Sequence, residues 1–153
     1  ALKAIMDIDV PEKTAIAVLA DKEETGSDGN TGLKSEFLKY VIGDIAKTQG
    51  ADLSLALRNS KCLSADVNAA TDPTFPEVMD RNNACYLNRG VCVTKYTGGR
   101  GKSSTSDASA EYVSEIRAML DKAGIAWQMG ELGKRIQHAI VNHKGKAPHY
   151  HIF

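Results

Sequence analysis

The chain has 153 residues, 42% hydrophobic and 25% charged, enough for one globular domain burying about two-thirds of its unfolded surface. Nineteen Lys and Arg cancel nineteen Asp and Glu, so no net field draws the chain onto phosphate backbones or anionic bilayers, and nucleic acid and membrane are not expected partners. Its longest apolar run, Ala15 to Ala20, falls far short of the roughly 20 residues a bilayer span requires.

Ala1 to Ile8 reads as a helix with no capping residue in front of it, which suggests a start inside an element. Charged residues from Lys3 to Lys13 interrupt the first twenty positions, so no signal peptide with a continuous apolar centre is legible. Beyond Pro11, Thr14 to Ala20 has the pattern of a strand buried on both faces of a sheet. A polar, glycine-rich stretch follows, Asp21 to Gly32. Leu33, Phe37, Tyr40, Val41 and Ile45 then recur at helical spacing up to Gly50, with Thr31 as the expected N-cap. Asp52 to Asn59 predicts a short helix, and Lys61 to Val67 a strand whose apolar members are Cys62, Leu63, Ala65 and Val67. After a long loop marked by Pro73 and Pro76, Gly90 to Tyr96 is rich in β-branched residues and predicts another strand. Ser106 or Asp107 is placed to cap a helix carrying Tyr112, Val113, Ile116, Met119 and Leu120 on one face and stopping at Gly124. Ile125 to Met129 completes the set as a strand. Alternating strands and helices predict an α/β fold, a layered and mostly parallel sheet with helices on both faces. Cys62, Cys85 and Cys92 are odd in number and lack CxxC spacing, so they are expected to be reduced, buried thiols of a cytoplasmic protein.

In such a sheet functional groups gather at the carboxyl ends of the strands. Two acid-bearing segments are expected there, Asp21 to Gly29 after the first strand and Ser64 to Asn68 at the end of a later one. Neighbouring carboxylates at a strand end can divide the labour, one ligating a cation while the other handles the proton of the water that the cation acidifies. Taken alone, a Glu-Glu pair in a glycine-rich loop is more often a solvated surface feature, and Asp66 can simply cap or turn the chain.

Three long segments in order narrow the choice: DKEETGSDGNTG at 21–32, SADVNAATDPTFPE at 64–77 and KYTGGRGKSSTSDASAEYV at 95–113. Together they resemble consecutive signatures of the aspartyl/vacuolar aminopeptidase family of dinuclear zinc metalloaminopeptidases. The resemblance covers roughly residues 1–134, a partial catalytic domain of zinc-peptidase-like fold, and gives way to a tail at 135–153 that does not match. It implies two zinc ions and hydrolysis of the N-terminal residue of peptides through a metal-activated water. It further implies Glu23 as general base, Glu24 as ligand of one zinc, Asp66 as ligand of the other and Lys95 beside the substrate. Manganese or cobalt would also suit a carboxylate-rich site. Relatives of this kind assemble as homo-oligomers in the cytoplasm.

The resemblance also implies further ligands, a His-x-Asp segment and a bridging Asp upstream and a final His downstream, with no counterpart in this stretch. With Glu24 and Asp66 alone the chain is expected to hold zinc weakly and to show little or no activity, since zinc sites use three or four protein ligands. The alternative is a non-catalytic fragment or interaction module derived from that fold. In the tail, His138, His143, His149 and His151 invite a metal-site reading, because His149 and His151 would share one face of a strand, but no third ligand is evident in register. Gly101-Lys102-Ser103 imitates the end of a phosphate loop, but that loop's first glycine would fall on Tyr96, and nucleotide binding is rejected.

Overall fold

The computed structural model describes residues 1–20, 30, 32, 34–78, 81–96, 107–130 and 146–152, with the backbone alone at 66–69, 78 and 146–152. The chain divides into two compact units, Ala1–Ser60 and Lys61–Phe153.

The first unit is helical. Helix α1 spans Leu2–Met6, α2 Phe37–Thr48 and α3 Leu53–Arg58. Asp52 caps α3, its carboxylate accepting from the Leu55 amide at 3.0 Å, which satisfies one of the free N–H groups of the first turn. Two sequence expectations are corrected in this unit. Thr14 to Ala20 is not a strand, and Ile16, Val18 and Leu19 are exposed. A strand is stable only when its N–H and C=O groups find a neighbouring ladder, and the described residues of this unit offer none. A side-chain bond between Thr14 and Gln49 ties the segment instead. Helix α2 begins at Phe37, six positions beyond Thr31, and its start carries no side-chain cap; Thr31 and Leu33 lie outside the described residues. The inward face is Leu38, Val41, Ile42, Ile45 and Ala46, while Phe37 and Tyr40 are exposed. The stripe is therefore rotated from the expected one. Its contact with α3 runs through Gly43, where an added Cβ would meet Leu53 at 3.4 Å.

The second unit holds the sheet. Strands β1 (Leu63–Ala69), β2 (Val91–Thr94), β3 (Trp127–Met129) and β4 (Lys146–Ile152) lie in the order β1-β4-β2-β3. β2 runs parallel to β3 and to β4, whereas β1 is antiparallel to β4, so the fold is α/β with a small, mostly parallel sheet. Helix α4 (Ala110–Lys122) covers the face that carries Val91, Val93 and Trp127, burying Val113, Ile116 and Leu120. Met119, expected on that face, is 52% exposed. Burying side chains of this size stabilises by about 1.5–3 kcal/mol each. The ends of α4 are locally encoded. Ser109, rather than Ser106 or Asp107, accepts from the Tyr112 amide at the N-terminus. At the other end Gly124, with φ of 65°, lets the Ile125 amide reach back to the Leu120 carbonyl at 2.9 Å. Ser109→Ala is expected to lower stability by about 1 kcal/mol in urea denaturation; an unchanged midpoint would show that the cap contributes nothing.

The cysteine expectation is also corrected. Cys85 and Cys92 form a disulfide with a Cα–Cα distance of 6.3 Å, both ends buried, while Cys62 is a free, exposed thiol. The seven-residue spacing hid the pairing because the intervening chain reverses, using the left-handed backbone at Asn88 (φ 61°) and Gly90 (φ 90°). The bond fixes the β1–β2 connection to the sheet face opposite α4. The same connection is held by Gln128, whose amide accepts from the Tyr86 N–H and donates to the Tyr86 carbonyl, both at 2.9 Å.

Candidate active site

Of the four residues singled out from the sequence, Glu23 and Glu24 lie outside the described residues. Asp66 is placed by its backbone. The strand expected to end at Val67 continues to Ala69, so Asp66 sits in the middle of β1 rather than at a strand end. Because β1 runs against its neighbour, the carboxyl ends of β2, β3 and β4 share one edge of the sheet with the amino end of β1. Asp66 faces His149 across the β1–β4 pairing, and His149 faces Cys92 across the β4–β2 pairing. One row therefore crosses three strands as Asp66, His149 and Cys92. Two positions nearer the shared edge, past the row of Ala65, Tyr150 and Val93, lies the row of Ser64, His151 and Thr94.

Beyond β1 the second motif turns sharply. Both the amide and the hydroxyl of Thr71 donate to the Cys85 carbonyl, at 2.7 and 2.9 Å. The Asp72 carboxylate accepts from the Thr74 amide at 2.7 Å, and Pro76–Val78 forms one turn of 3-10 helix. This Asx turn explains why the Asp-Pro-Thr sequence bends here.

The third motif is joined at its neck. Lys95, the first residue past β2, lies at the carboxyl edge, where its ammonium pairs with the Asp107 carboxylate. Its carbonyl accepts from the Ala108 amide at 2.9 Å, and Tyr96 and Asp107 form an antiparallel bridge. Tyr96 and Asp107, which flank the segment 97–106, are thus neighbours. Asp107 is the partner that sequence reasoning missed; in the linear pattern it is a helix cap, and only the closure of the motif brings it to Lys95. The pair is partly exposed and contributes at most about 1 kcal/mol, so Lys95 can exchange this carboxylate for another at small cost.

Among the described groups Tyr112 has a displaced ionisation. Burial pushes its phenol above the ordinary 10.0, the Cys62 thiol adds to this, Lys61 pulls the other way, and the Glu115 carboxylate raises it further. It packs beside the core cluster, away from the Asp66 row. No three described His, Cys, Asp or Glu side chains gather as a metal site, and no described helix is long and apolar enough to cross a membrane.

Residues 1–137 match the family described as Aminopeptidase I zinc metalloprotease (M18). A probable M18 family aminopeptidase 1 of Clostridium acetobutylicum is 45% identical over 136 residues, covering 86% of this chain and 29% of that protein. Its counterpart in Borreliella afzelii is 50% identical over 140 residues, covering 87% and 31%. The chain therefore spans about three-tenths of the length of these relatives. The crystal structure of aminopeptidase I from Clostridium acetobutylicum superposes with a TM-score of 0.76 at 39% identity, covering 97% of this chain and 34% of that one. An M18 aminopeptidase from Thermotoga maritima gives a TM-score of 0.64 at 37% identity, over 86% of this chain and 32% of that one. The chain belongs to the M18 family of zinc metalloaminopeptidases.

Proposed function

We propose that this chain carries the part of an M18 catalytic domain that takes up metal and moves the proton during removal of the N-terminal residue from peptides. The family match over residues 1–137 carries this reading, because it spans all three motifs at once. In it, Glu24 and Asp66 hold two zinc ions, which when bound supply Lewis acidity toward water and the scissile carbonyl. Glu23 accepts the proton of the attacking water and delivers it to the departing amine. Lys95 leaves Asp107 to orient the substrate. Manganese or cobalt can replace zinc at such carboxylates. The assembled enzyme is a homo-oligomer acting in the cytoplasm.

The isolated chain is expected to bind zinc weakly and to turn over little, because Glu24 and Asp66 alone fall short of the three or four protein ligands a zinc site uses, and the chain spans only about three-tenths of the matched relatives. The test is hydrolysis of an aminoacyl-amide by this chain mixed with a polypeptide supplying the remainder of an M18 catalytic domain. Activity that appears on mixing, requires zinc and vanishes with a chelator is expected. A folded mixture that neither binds metal nor releases the amino acid would favour the alternative, a non-catalytic interaction module.

A further inference from the structure

The Cys85–Cys92 bond joins two parts of the chain that differ in how firmly they are held. Cys92 lies within β2, which pairs with β3 on one side and with β4 on the other. Cys85 lies on the irregular β1–β2 connection. The main chain of Gly130, just past β3, runs beside both sulfurs: an added Cβ there would sit 2.0 Å from the Cys85 sulfur and 2.6 Å from that of Cys92. Gly130 is itself tied to β2, its amide donating to the Val93 carbonyl at 3.1 Å. Unbonded sulfurs settle near van der Waals contact, much farther apart than a covalent pair. Breaking the bond therefore demands a separation that the backbone of Gly130 does not allow on its side, and Cys85, outside the ladders, is the partner that moves.

That movement reaches the second motif directly. The Cys85 carbonyl accepts both the amide and the hydroxyl of Thr71, and the next residue, Asp72, forms the Asx turn. The fold does not hang on the bond. With a sequence separation of 7 it closes a short loop, which constrains the unfolded chain less than a long one. Gln128 holds Tyr86 independently, and the buried Thr94 hydroxyl, 3.9 Å from the Cys92 sulfur, gives a reduced thiol a polar neighbour. We propose that Cys85 and Cys92 form a reversible thiol–disulfide switch, whose reduction loosens Thr71 and the turn of the second motif from the sheet. The co-reactant is a thiol of the glutathione or thioredoxin class. Its thiolate attacks one sulfur to give a mixed disulfide and releases the other as a thiolate, and a second reductant thiol then resolves the mixed disulfide. Two electrons and two protons pass to the cysteine pair, and the two reductant thiols leave as one disulfide. Because both sulfurs are buried, the attack passes through a local opening of the connection. Cytoplasmic disulfides are typically transient and redox-sensing; that setting rests on the proposed function, whereas the exchange chemistry does not.

The test places the full chain in buffers of graded glutathione to glutathione disulfide ratio. One readout is mass after acid quenching and alkylation with iodoacetamide; the other is amide hydrogen exchange by NMR. The pair is expected to pass from disulfide to dithiol within the reducing ratios of a cytoplasm, while the exposed Cys62 is alkylated under reducing conditions throughout. On reduction the Thr71 amide should exchange about tenfold faster or more, while the Val113 and Ile125 amides at the two ends of α4 keep their rates. Cys85→Ser should give the fast Thr71 rate in every buffer, and Cys62→Ser should leave the response unchanged. The unsubstituted chain carries the test by itself if Cys85→Ser fails to fold. A pair that stays bonded at the most reducing ratio, a pair that stays reduced in glutathione disulfide, or a Thr71 rate equal in the two states overturns the switch. No readout needs peptidase activity, so a mixture without hydrolysis removes the proposed function alone, and a pair locked in one state removes the switch alone.

Discussion

Replacing Glu23 by Gln is expected to lower zinc-dependent hydrolysis by the complemented mixture about a thousandfold, while zinc affinity and KM stay where they were. Gln has the shape of Glu and keeps a hydrogen-bonding oxygen, but it cannot take up a proton at neutral pH. A general base contributes about a hundredfold to ten-thousandfold to the rate, and the loss should fall within that range and almost entirely on kcat. Glu24→Gln is the contrasting variant. A ligand loss weakens metal binding first, and its activity should recover in part as zinc is raised. A fall in zinc affinity on Glu23→Gln that matches the fall in rate would assign Glu23 to the metal instead and refute the division of labour.

The largest expected effect on stability is at Gly90, immediately before the central strand β2. Its φ of 90° is disfavoured for residues with a Cβ, and an added Cβ would sit 2.0 Å from the Ala126 carbonyl oxygen. That oxygen accepts the Val91 amide at 2.9 Å, the bond that starts the β2–β3 pairing. Gly90→Ala therefore adds backbone strain and a steric conflict with the neighbouring main chain, and should cost about 3 kcal/mol or more, a large part of a typical domain's stability of about 5–15 kcal/mol. Gly124→Ala is the control. Its φ is also positive, but nothing lies within 4 Å of the added Cβ, so the cost should stay near about 1 kcal/mol. Urea denaturation followed by the fluorescence of Trp127, the single tryptophan, checks both. Equal losses at the two glycines would show that the close approach to Ala126 is unimportant.

The legible parts of this fold are those whose signals are local. β2, β3 and α4 stand close to their expected positions because β-branched residues, a serine cap and a glycine stop act within a few residues of the elements they shape. What escaped the sequence depends on distant partners. Thr14 to Ala20 has the composition of a buried strand, but composition does not supply a neighbouring ladder. The Cys85–Cys92 bond depends on a reversal at Asn88 and Gly90 that cysteine spacing does not announce. Asp66 was legible as a member of a motif, but its place in mid-strand, facing His149, depends on a pairing across about eighty residues. The tail carries no family signature, so nothing in it advertised that β4 would lie inside the sheet rather than at its margin.

That position of β4 has a consequence for the order of assembly. The strands on either side of it, β1 and β2, share no hydrogen bonds with one another, so during synthesis the hairpin-like closure available to most neighbouring strands is denied to them. Until residues 146–152 have cleared the ribosome, the nascent chain holds β2 with β3 on one side of an open slot and an unpaired β1 on the other. Such exposed ladder edges invite pairing with other polypeptides, and insertion of the late segment is the step that closes them.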